Sequence, residues 1–293
     1  MKIYFKYYNV IRMLFLLFLY FLCMVCVWTL GAIGKEPFWT TATGIEPEMH
    51  MSFPMKNHYN SIIPLHLYQT WVTRRLPKHM HRCVRQLQED NPEFAYHFFD
   101  DRQCRQYLGR YFGERHRDIY DRLIPGAYKA DFWRYCVLYR EGGIYLDIKY
   151  QCVNGFRLIA LTEQEHFVND WSPNNYGTTL DYSAGIYNAL MVCRPQNPIL
   201  LNCINQIIHN VQNHYYGQTC LDPTGPYLLS RFFTLQQRKQ FHLHHYHRHQ
   251  IVCIRYDLYK ILECYPEYRR EQKTFSGKPH YSVLWKQRQI YLF

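Results

Sequence analysis

Residues 127–152 restrict the local fold strongly, because a run without proline or glycine leads into a double glycine and then an apolar segment. Apolar side chains recur at helical spacing within residues 127–141, namely Phe132, Tyr135, Cys136 and Tyr139. This period predicts a helix with one apolar face. Gly142 and Gly143 end the helix, since glycine tolerates the left-handed backbone that a C-terminal cap commonly adopts.

Polar side chains cluster around the strand that follows. Side chains alternate in residues 144–150, so Asp147 and Lys149 are predicted to share one face of a strand. Asp131 and Arg134 lie three residues apart and share a face of the preceding helix. Ligands of open α/β sheets bind beyond the carboxyl ends of strands. The sequence therefore predicts a polar floor for a phosphorylated sugar.

The segment ADFWRYCVLYREGGIYLD, residues 130–147, resembles the sugar-binding region containing a DXD motif of glycosyltransferase family 32. That family includes the fungal initiating mannosyltransferases, and the resemblance extends more weakly from residue 62 to the C-terminus. It implies an α/β fold of the GT-A type that binds nucleotide-diphospho-sugars. It also implies transfer of a hexose from a UDP-sugar or GDP-mannose to a glycan or glycoconjugate, with retention of configuration.

The resemblance assigns roles to four residues. Asp131 and Arg134 match the pair that holds the donor sugar's hydroxyls, and Asp147 matches the first aspartate of the DXD. Lys149 replaces the second aspartate, which removes a hard oxygen ligand for the divalent cation, Mn²⁺ or Mg²⁺, that the family implies. Lys149 either meets the diphosphate as a point charge or holds Asp147 in a salt bridge. No catalytic nucleophile is assigned.

Two further stretches resemble the family. IIPLHLYQTW, residues 62–71, predicts a buried first strand, and Trp71 at its end either stacks on the donor base or packs in the core. GKPHYSVLW, residues 277–285, resembles a C-terminal segment that folds over the donor. There His280 ligates a metal, bonds a phosphate or packs in the core, and Trp285 covers the site.

The N-terminus predicts a membrane anchor. Residues 13–33 contain no charged side chain and are long enough to cross a hydrocarbon core of about 30 Å. Three basic residues precede them and only Lys35 closely follows, which predicts a cytosolic N-terminus and a lumenal C-terminal part. The expectation is a single-pass type II protein of a Golgi-like or ER-like membrane. A cleaved signal peptide is the alternative.

The domain layout follows from these boundaries. Residues 1–12 form a cytosolic tail, 13–33 the membrane helix, 34–60 a proline-containing stem and 61–293 the transferase domain. The formal charge of +11, with 16 histidines, suits a protein that handles anions such as nucleotide diphosphates or lipid headgroups. No RNP, KH, zinc-finger or helix-turn-helix signature appears, so nucleic acid is not an expected partner.

Several local motifs have competing interpretations. Asp100 and Asp101 suit the cap of a helix better than a metal site. Thr224 is placed to cap the helix after the TGP stretch, and together with Asp222 it is a candidate for contact with the acceptor. The histidine run at residues 242–249 either binds zinc or nickel or forms a solvated edge. Nine cysteines lie outside the membrane segment, and an oxidising lumen would permit disulfides among them.

Two other classes of function remain open. A non-catalytic protein that binds sugar nucleotides or glycans would also explain the loss of the second DXD aspartate. A structural membrane protein would bind no donor at all.

Overall fold

The computed structural model describes residues 50–172, 182–248, 251–277 and 279–292, which form a mixed α/β fold. The predicted membrane segment, residues 13–33, lies outside the described residues. Within the described ranges, no helix combines the length and the hydrophobicity needed to cross a bilayer. Residues 50–60, assigned from the sequence to the stem, pack on the domain. For example, the Phe53 ring lies 5.0 Å from that of Phe156.

The strands are short. In chain order they are β1 (His66–Trp71), β2 (Ala95–Asp100), β3 (Gly143–Leu146), β4 (Tyr150–Cys152), β5 (Val168–Asn169), β6 (Leu190–Cys193), β7 (Leu243–Arg248), β8 (Ile251–Tyr256) and β9 (Tyr259–Cys264). The α-helices are α1 (Lys78–Asp90), α2 (Asp101–Phe112), α3 (Glu114–Arg122), α4 (Gly126–Glu141), α5 (Pro198–Gln212), α6 (Pro226–Ser230), α7 (Leu235–Arg238), α8 (Tyr268–Ser276) and α9 (Tyr281–Lys286).

Two sheets organise the fold. The first has the order β2-β1-β3-β6, in which β1 is parallel to β2 and β3 while β6 is antiparallel to β3. The second has the order β4-β9-β8-β7-β5. Because side chains alternate along a strand, Tyr68 and Tyr145 pack among the helices, whereas Leu67 and Ile144 pack toward the second sheet. The first sheet is therefore buried on both faces.

Helix α4 confirms the predicted helix at residues 127–141, but it has more than one buried face. Tyr128 and every residue from Asp131 to Leu138 are buried, because α4 packs against β3 as well as α2, α3, α5 and α9. Gly142 ends the helix with φ of 68°, as predicted. Gly143 follows with φ of 107°, and a Cβ there would meet the His66 carbonyl oxygen at 2.6 Å. Because most of α4 is buried, its polar side chains need hydrogen-bond or ion-pair partners inside the protein.

The strand predicted over residues 144–150 is confirmed only at residues 144–146. Strand β3 ends at Leu146, and the chain turns through residues 147–149 before β4 begins at Tyr150 in the other sheet. The Tyr150 N–H donates to the Asp147 carbonyl at 3.1 Å and closes this turn. Asp147 and Lys149 therefore lie in a turn and do not share a strand face. The prediction failed because a short alternating run of side chains does not distinguish a strand from a turn between sheets.

Candidate functional site

A cavity of about 450 Å³ opens beyond the carboxyl ends of β1 and β3, where α/β sheets bind ligands. Its lining comes from the end of β1, the first residue of α2, α4, the end of β3 with the turn after it, α8 and the start of α9. The lining residues are Thr70, Trp71, Val72, Asp101, Gly126, Ala127, Ala130, Arg134, Tyr145, Asp147, Ile148, Tyr268, Arg269, Gln272, Lys273, Pro279, His280 and Tyr281.

Arg134 connects two carboxylates at the floor of this cavity. Arg134 is only 5% exposed to solvent. Nη2 lies 3.5 Å from Asp131 Oδ1, and Nη1 lies 3.3 Å from Asp147 Oδ1. Nη1 also donates to the Asn188 carbonyl oxygen at 2.7 Å, and the guanidinium stacks over the Tyr145 ring at 4.2 Å. These contacts fix the arginine before any ligand arrives.

The Asp131 carboxylate is held entirely by protein donors. Oδ2 accepts from Thr224 Oγ1 at 2.7 Å, and Oδ1 accepts from Asn188 Nδ2 at 2.9 Å. Burial raises the pKa of Asp131 to about 6, although Arg134 and both hydrogen bonds oppose the rise. The prediction that Thr224 caps the next helix is wrong, since Gly225 is the N-cap of α6 and has no side-chain cap. Thr224 instead orients Asp131.

Asp147 and Lys149 form a tight ion pair in the turn after β3. Lys149 Nζ donates to Asp147 Oδ2 at 2.7 Å, and the Tyr145 hydroxyl donates to Oδ1 at 2.9 Å. Burial alone would raise the pKa of Asp147, but Lys149 and Arg134 outweigh it and the pKa is lowered. Burial would lower the pKa of Lys149, but Asp147 outweighs it and the pKa is raised well above its usual value.

Aromatic rings enclose the ammonium of Lys149. Nζ lies 5.2, 5.4 and 5.9 Å from the ring centroids of Tyr150, Tyr187 and Tyr268. The faces of aromatic rings attract cations, and the attraction grows when water is excluded. Lys149 is therefore a fixed positive charge, held by one carboxylate and three rings.

These residues do not fit the divalent cation that the family resemblance implies. Mn²⁺ and Mg²⁺ need several oxygen ligands, yet Asp147 Oδ2 already accepts from the Lys149 ammonium. Oδ1 accepts from Tyr145 and lies beside Arg134. Across residues 50–292, apart from those the structure leaves undescribed, no group of three or more histidine, cysteine or acidic side chains could hold a metal.

The other predicted site residues lie at different places around the cavity. Trp71 is part of its wall, with the ring centroid 6.5 Å from that of Tyr268. His280 also lines the cavity and caps α9, where its Nδ1 lies 2.7 Å from Ser282 Oγ. Burial, aided by Arg269, lowers the pKa of His280. Trp285 instead donates its indole N–H to the Tyr216 carbonyl at 2.7 Å and packs against the helical core.

Sequence reasoning missed two contributors. Asn188 joins Asp131 and Arg134 from the loop before β6. Helix α8 supplies Arg269 and Lys273 to the cavity wall. Their spacing of four residues puts both cations on one side of a helix. The local sequence does not indicate that this side of the helix faces the cavity beside Asp147.

His245, in the histidine run, and several cysteines are buried or partly buried in the described part of the chain. His245 in β7 stacks on Tyr187 with ring centroids 3.8 Å apart, and its Nδ1 lies 2.8 Å from Asp170 Oδ1. His249, the last residue of the histidine run, lies outside the described residues. Cys83, Cys104, Cys136, Cys193 and Cys203 are buried free thiols.

Comparison with known proteins shows that the region around this site is similar to one family of glycosyltransferases. Residues 77–175 match the family described as "Glycosyltransferase sugar-binding region containing DXD motif". Inositol phosphoceramide mannosyltransferase 3 of Schizosaccharomyces pombe is 26% identical over 175 residues, covering 59% of this chain and 46% of that protein. Mannosyl phosphorylinositol ceramide synthase CSH1 of Saccharomyces cerevisiae is also 26% identical, covering 58% of this chain and 42% of that protein.

The chain thus spans less than half the length of these two relatives. Among solved structures, the PaToxG glycosyltransferase matches 61% of this chain and 72% of its own, with a TM-score of 0.46 and 17% identity. The family match includes a charged cluster, called the floor below, in which Arg134 and Asp147 line the cavity and Asp131 and Lys149 pair with them. Part of the chain is therefore similar to the sugar-binding region of glycosyltransferases that contain a DXD motif, and a longer part is similar to fungal mannosyltransferases.

Proposed function

We propose that the protein transfers a hexose from a nucleotide-diphosphate sugar to a hydroxyl of a glycan or glycoconjugate, with retention of configuration. The observation that carries this proposal is Arg134, which bridges Asp131 and Asp147 at the floor of the cavity. Donor hydroxyls would bind to this charged floor. The names of the relatives favour mannose as the sugar, with GDP-mannose as the first donor to test and UDP-sugars as the alternative.

The cavity has the size and the lining for such a donor. About 450 Å³ lies within the usual range for small-molecule sites, roughly 300–1,000 Å³. Trp71 offers a ring on which a base stacks. A nucleoside diphosphate leaves with negative charge, so preorganised positive groups near the diphosphate stabilise the transition state.

We extend the proposal to fold and location. The fold is of the GT-A type, anchored by a membrane helix at residues 13–33, with the transferase domain in a Golgi-like or ER-like lumen. The charge bias around that segment supports this orientation. In sealed vesicles, a C-terminal tag should resist protease while an N-terminal tag is cut. Cleavage of the C-terminal tag in intact vesicles would contradict the orientation.

The test of activity uses the full-length chain with GDP-mannose and a panel of UDP-sugars, with and without Mn²⁺. Hydrolysis or transfer of one donor is the expected result. Arg134→Lys should lower the rate more than tenfold, because an ammonium cannot reproduce the planar fork that reaches two carboxylates. Arg140→Lys is the matched control, since Arg140 lies on the same helix, is exposed and pairs with Glu141. Equal loss in both variants, or turnover of no donor, would contradict the proposal.

One observation favours a second candidate, a binder of sugar nucleotides without catalysis. Lys149 replaces the second acid of the DXD and is paired with Asp147. The same panel separates the candidates, because a binder would hold a donor tightly with neither hydrolysis nor transfer.

A further inference from the structure

Helix α8 adds two cations to the cavity wall that the DXD region does not contain. Arg269 and Lys273 both line the cavity, with Gln272 between them. They lie four residues apart and therefore on one side of the helix. Arg269 Nη1 donates to Gln272 Oε1 at 3.2 Å, and its guanidinium lies 5.7 Å from the Tyr268 ring centroid.

The cations of the floor have acidic partners, whereas Arg269 and Lys273 do not among the described residues. Arg134 and Lys149 are neutralised by Asp131 and Asp147. Among the described residues, neither Arg269 nor Lys273 lies within ion-pair distance of an acid. A cavity wall with two uncompensated cations attracts an anion, and the attraction is stronger in a concave site than on an open surface.

The position of α8 is fixed by a contact on its other side. Glu271 lies two residues from each cation and therefore faces the opposite way on a helix. It is 8% exposed and accepts from the backbone N–H groups of His79 and Met80 at 2.9 and 3.0 Å. These are free donors at the N-terminus of α1, a site that favours a carboxylate. Tyr265 OH also donates to Glu271 at 3.0 Å.

The floor removes the usual alternative for binding a diphosphate. In the family pattern, two aspartates hold a divalent cation that meets the diphosphate. Here the Lys149 ammonium lies 2.7 Å from Asp147 Oδ2. That oxygen is the one with which a metal would have to be coordinated. The floor is therefore electrically balanced without a metal, while the wall keeps its positive charge.

We propose that Arg269 and Lys273 bind the diphosphate of the donor directly, so that donor binding needs no divalent cation. This inference rests on the proposed function, since it assumes that a nucleotide-diphosphate sugar enters the cavity. Arginine and lysine are both suited to the task, the first as a planar fork and the second as a point charge.

Equilibrium binding of UDP and of GDP to the full-length protein tests this inference, by calorimetry in EDTA and again in Mn²⁺. The wild-type Kd for the preferred nucleotide should agree within about twofold between the two conditions. Loss of a charge-assisted hydrogen bond weakens binding about tenfold, so Arg269→Met and Lys273→Met should each do so and the double variant more. Arg270→Met is the matched control, because Arg270 is exposed on the same helix but does not line the cavity.

The possible outcomes separate this inference from the proposed function. Binding that requires Mn²⁺, or a double variant that binds like Arg270→Met, would overturn direct recognition and leave the proposed function standing. Failure of the wild type to bind either nucleotide in both conditions would overturn both. Circular dichroism melting of each variant should match the wild type, since both cations are exposed. A misfolded double variant leaves the single variants to decide.

Discussion

The floor and the wall of the cavity use charge in different ways. The floor consists of Asp131, Arg134, Asp147 and Lys149, which are largely shielded from solvent and neutralise one another. The wall, contributed by α8, presents the exposed cations Arg269 and Lys273, which have no acidic ion-pair partner among the residues that the structure describes. A buried charge that loses its partner is costly, whereas an exposed charge is stabilised by water. Substitution of a floor charge should therefore lower both stability and activity. Substitution of a wall cation should alter ligand binding with little effect on stability.

Removal of one charge from each region should produce the largest contrast. Arg134→Met leaves two buried carboxylates without their shared cation, so the free energy of unfolding should fall by about 3–5 kcal/mol. Arg269→Met should change that free energy by less than about 0.5 kcal/mol, as expected for an exposed substitution. Urea unfolding of both variants measures the difference. Similar stabilities would show that the floor is not a coupled ion-pair cluster.

A change of sign within the floor should make the protein dependent on metal. Lys149→Asp restores the second acid of the DXD, and without metal the buried carboxylates repel, so the free energy of unfolding should fall by about 3 kcal/mol. Mn²⁺ should then raise the melting temperature and restore part of the activity, because two carboxylates now supply oxygen ligands. Lys149→Met is the control that gains no ligand. Equal responses of both variants to Mn²⁺ would contradict this prediction.

The floor should also leave a signature in the pH dependence of stability. The pKa of Asp131 is raised to about 6, above the value of about 3.9 in an unfolded chain. The folded state therefore binds the proton more tightly, and this stabilisation is complete below about pH 4 and lost as the pH rises through 6. Relative to the Asp131→Asn variant, the free energy of unfolding of the wild type should fall by about 2–3 kcal/mol between pH 4 and pH 7.

Urea unfolding at the two pH values measures that loss, and the Asn variant serves as the reference because the Thr224 hydroxyl can reverse its hydrogen bond. A stability difference that is the same at both pH values would mean that Asp131 keeps an ordinary pKa.

The smallest expected effect concerns salt. The screening length falls from about 10 Å at 0.1 M to about 3 Å at 1 M, which weakens exposed charges most. The wild-type Kd for the nucleotide should therefore rise severalfold between 0.05 and 0.5 M NaCl. The Arg269→Met, Lys273→Met double variant should respond less. Parallel salt dependences would place the diphosphate on the shielded floor instead.

The sequence by itself determined the elements whose causes are local. The uninterrupted helical run and the double glycine specified α4 and its end, and Asp100 was correctly identified as a helix cap, with its side chain accepting from Gln103. The pairing of Asp131 with Arg134 also followed from a spacing of three residues. In each case a dihedral preference or a helical period acts between near neighbours.

Tertiary structure alone decided how the charges were partnered. Thr224 reaches Asp131 across 93 residues, and Glu271 reaches the start of α1 across 192 to position the cations of α8. Packing also replaced the predicted strand face with a turn in which Lys149 closes on Asp147. These contacts depend on which distant elements share the core, and burial then forces each polar group to find a partner. Periodicity within a short window carries no information about that choice.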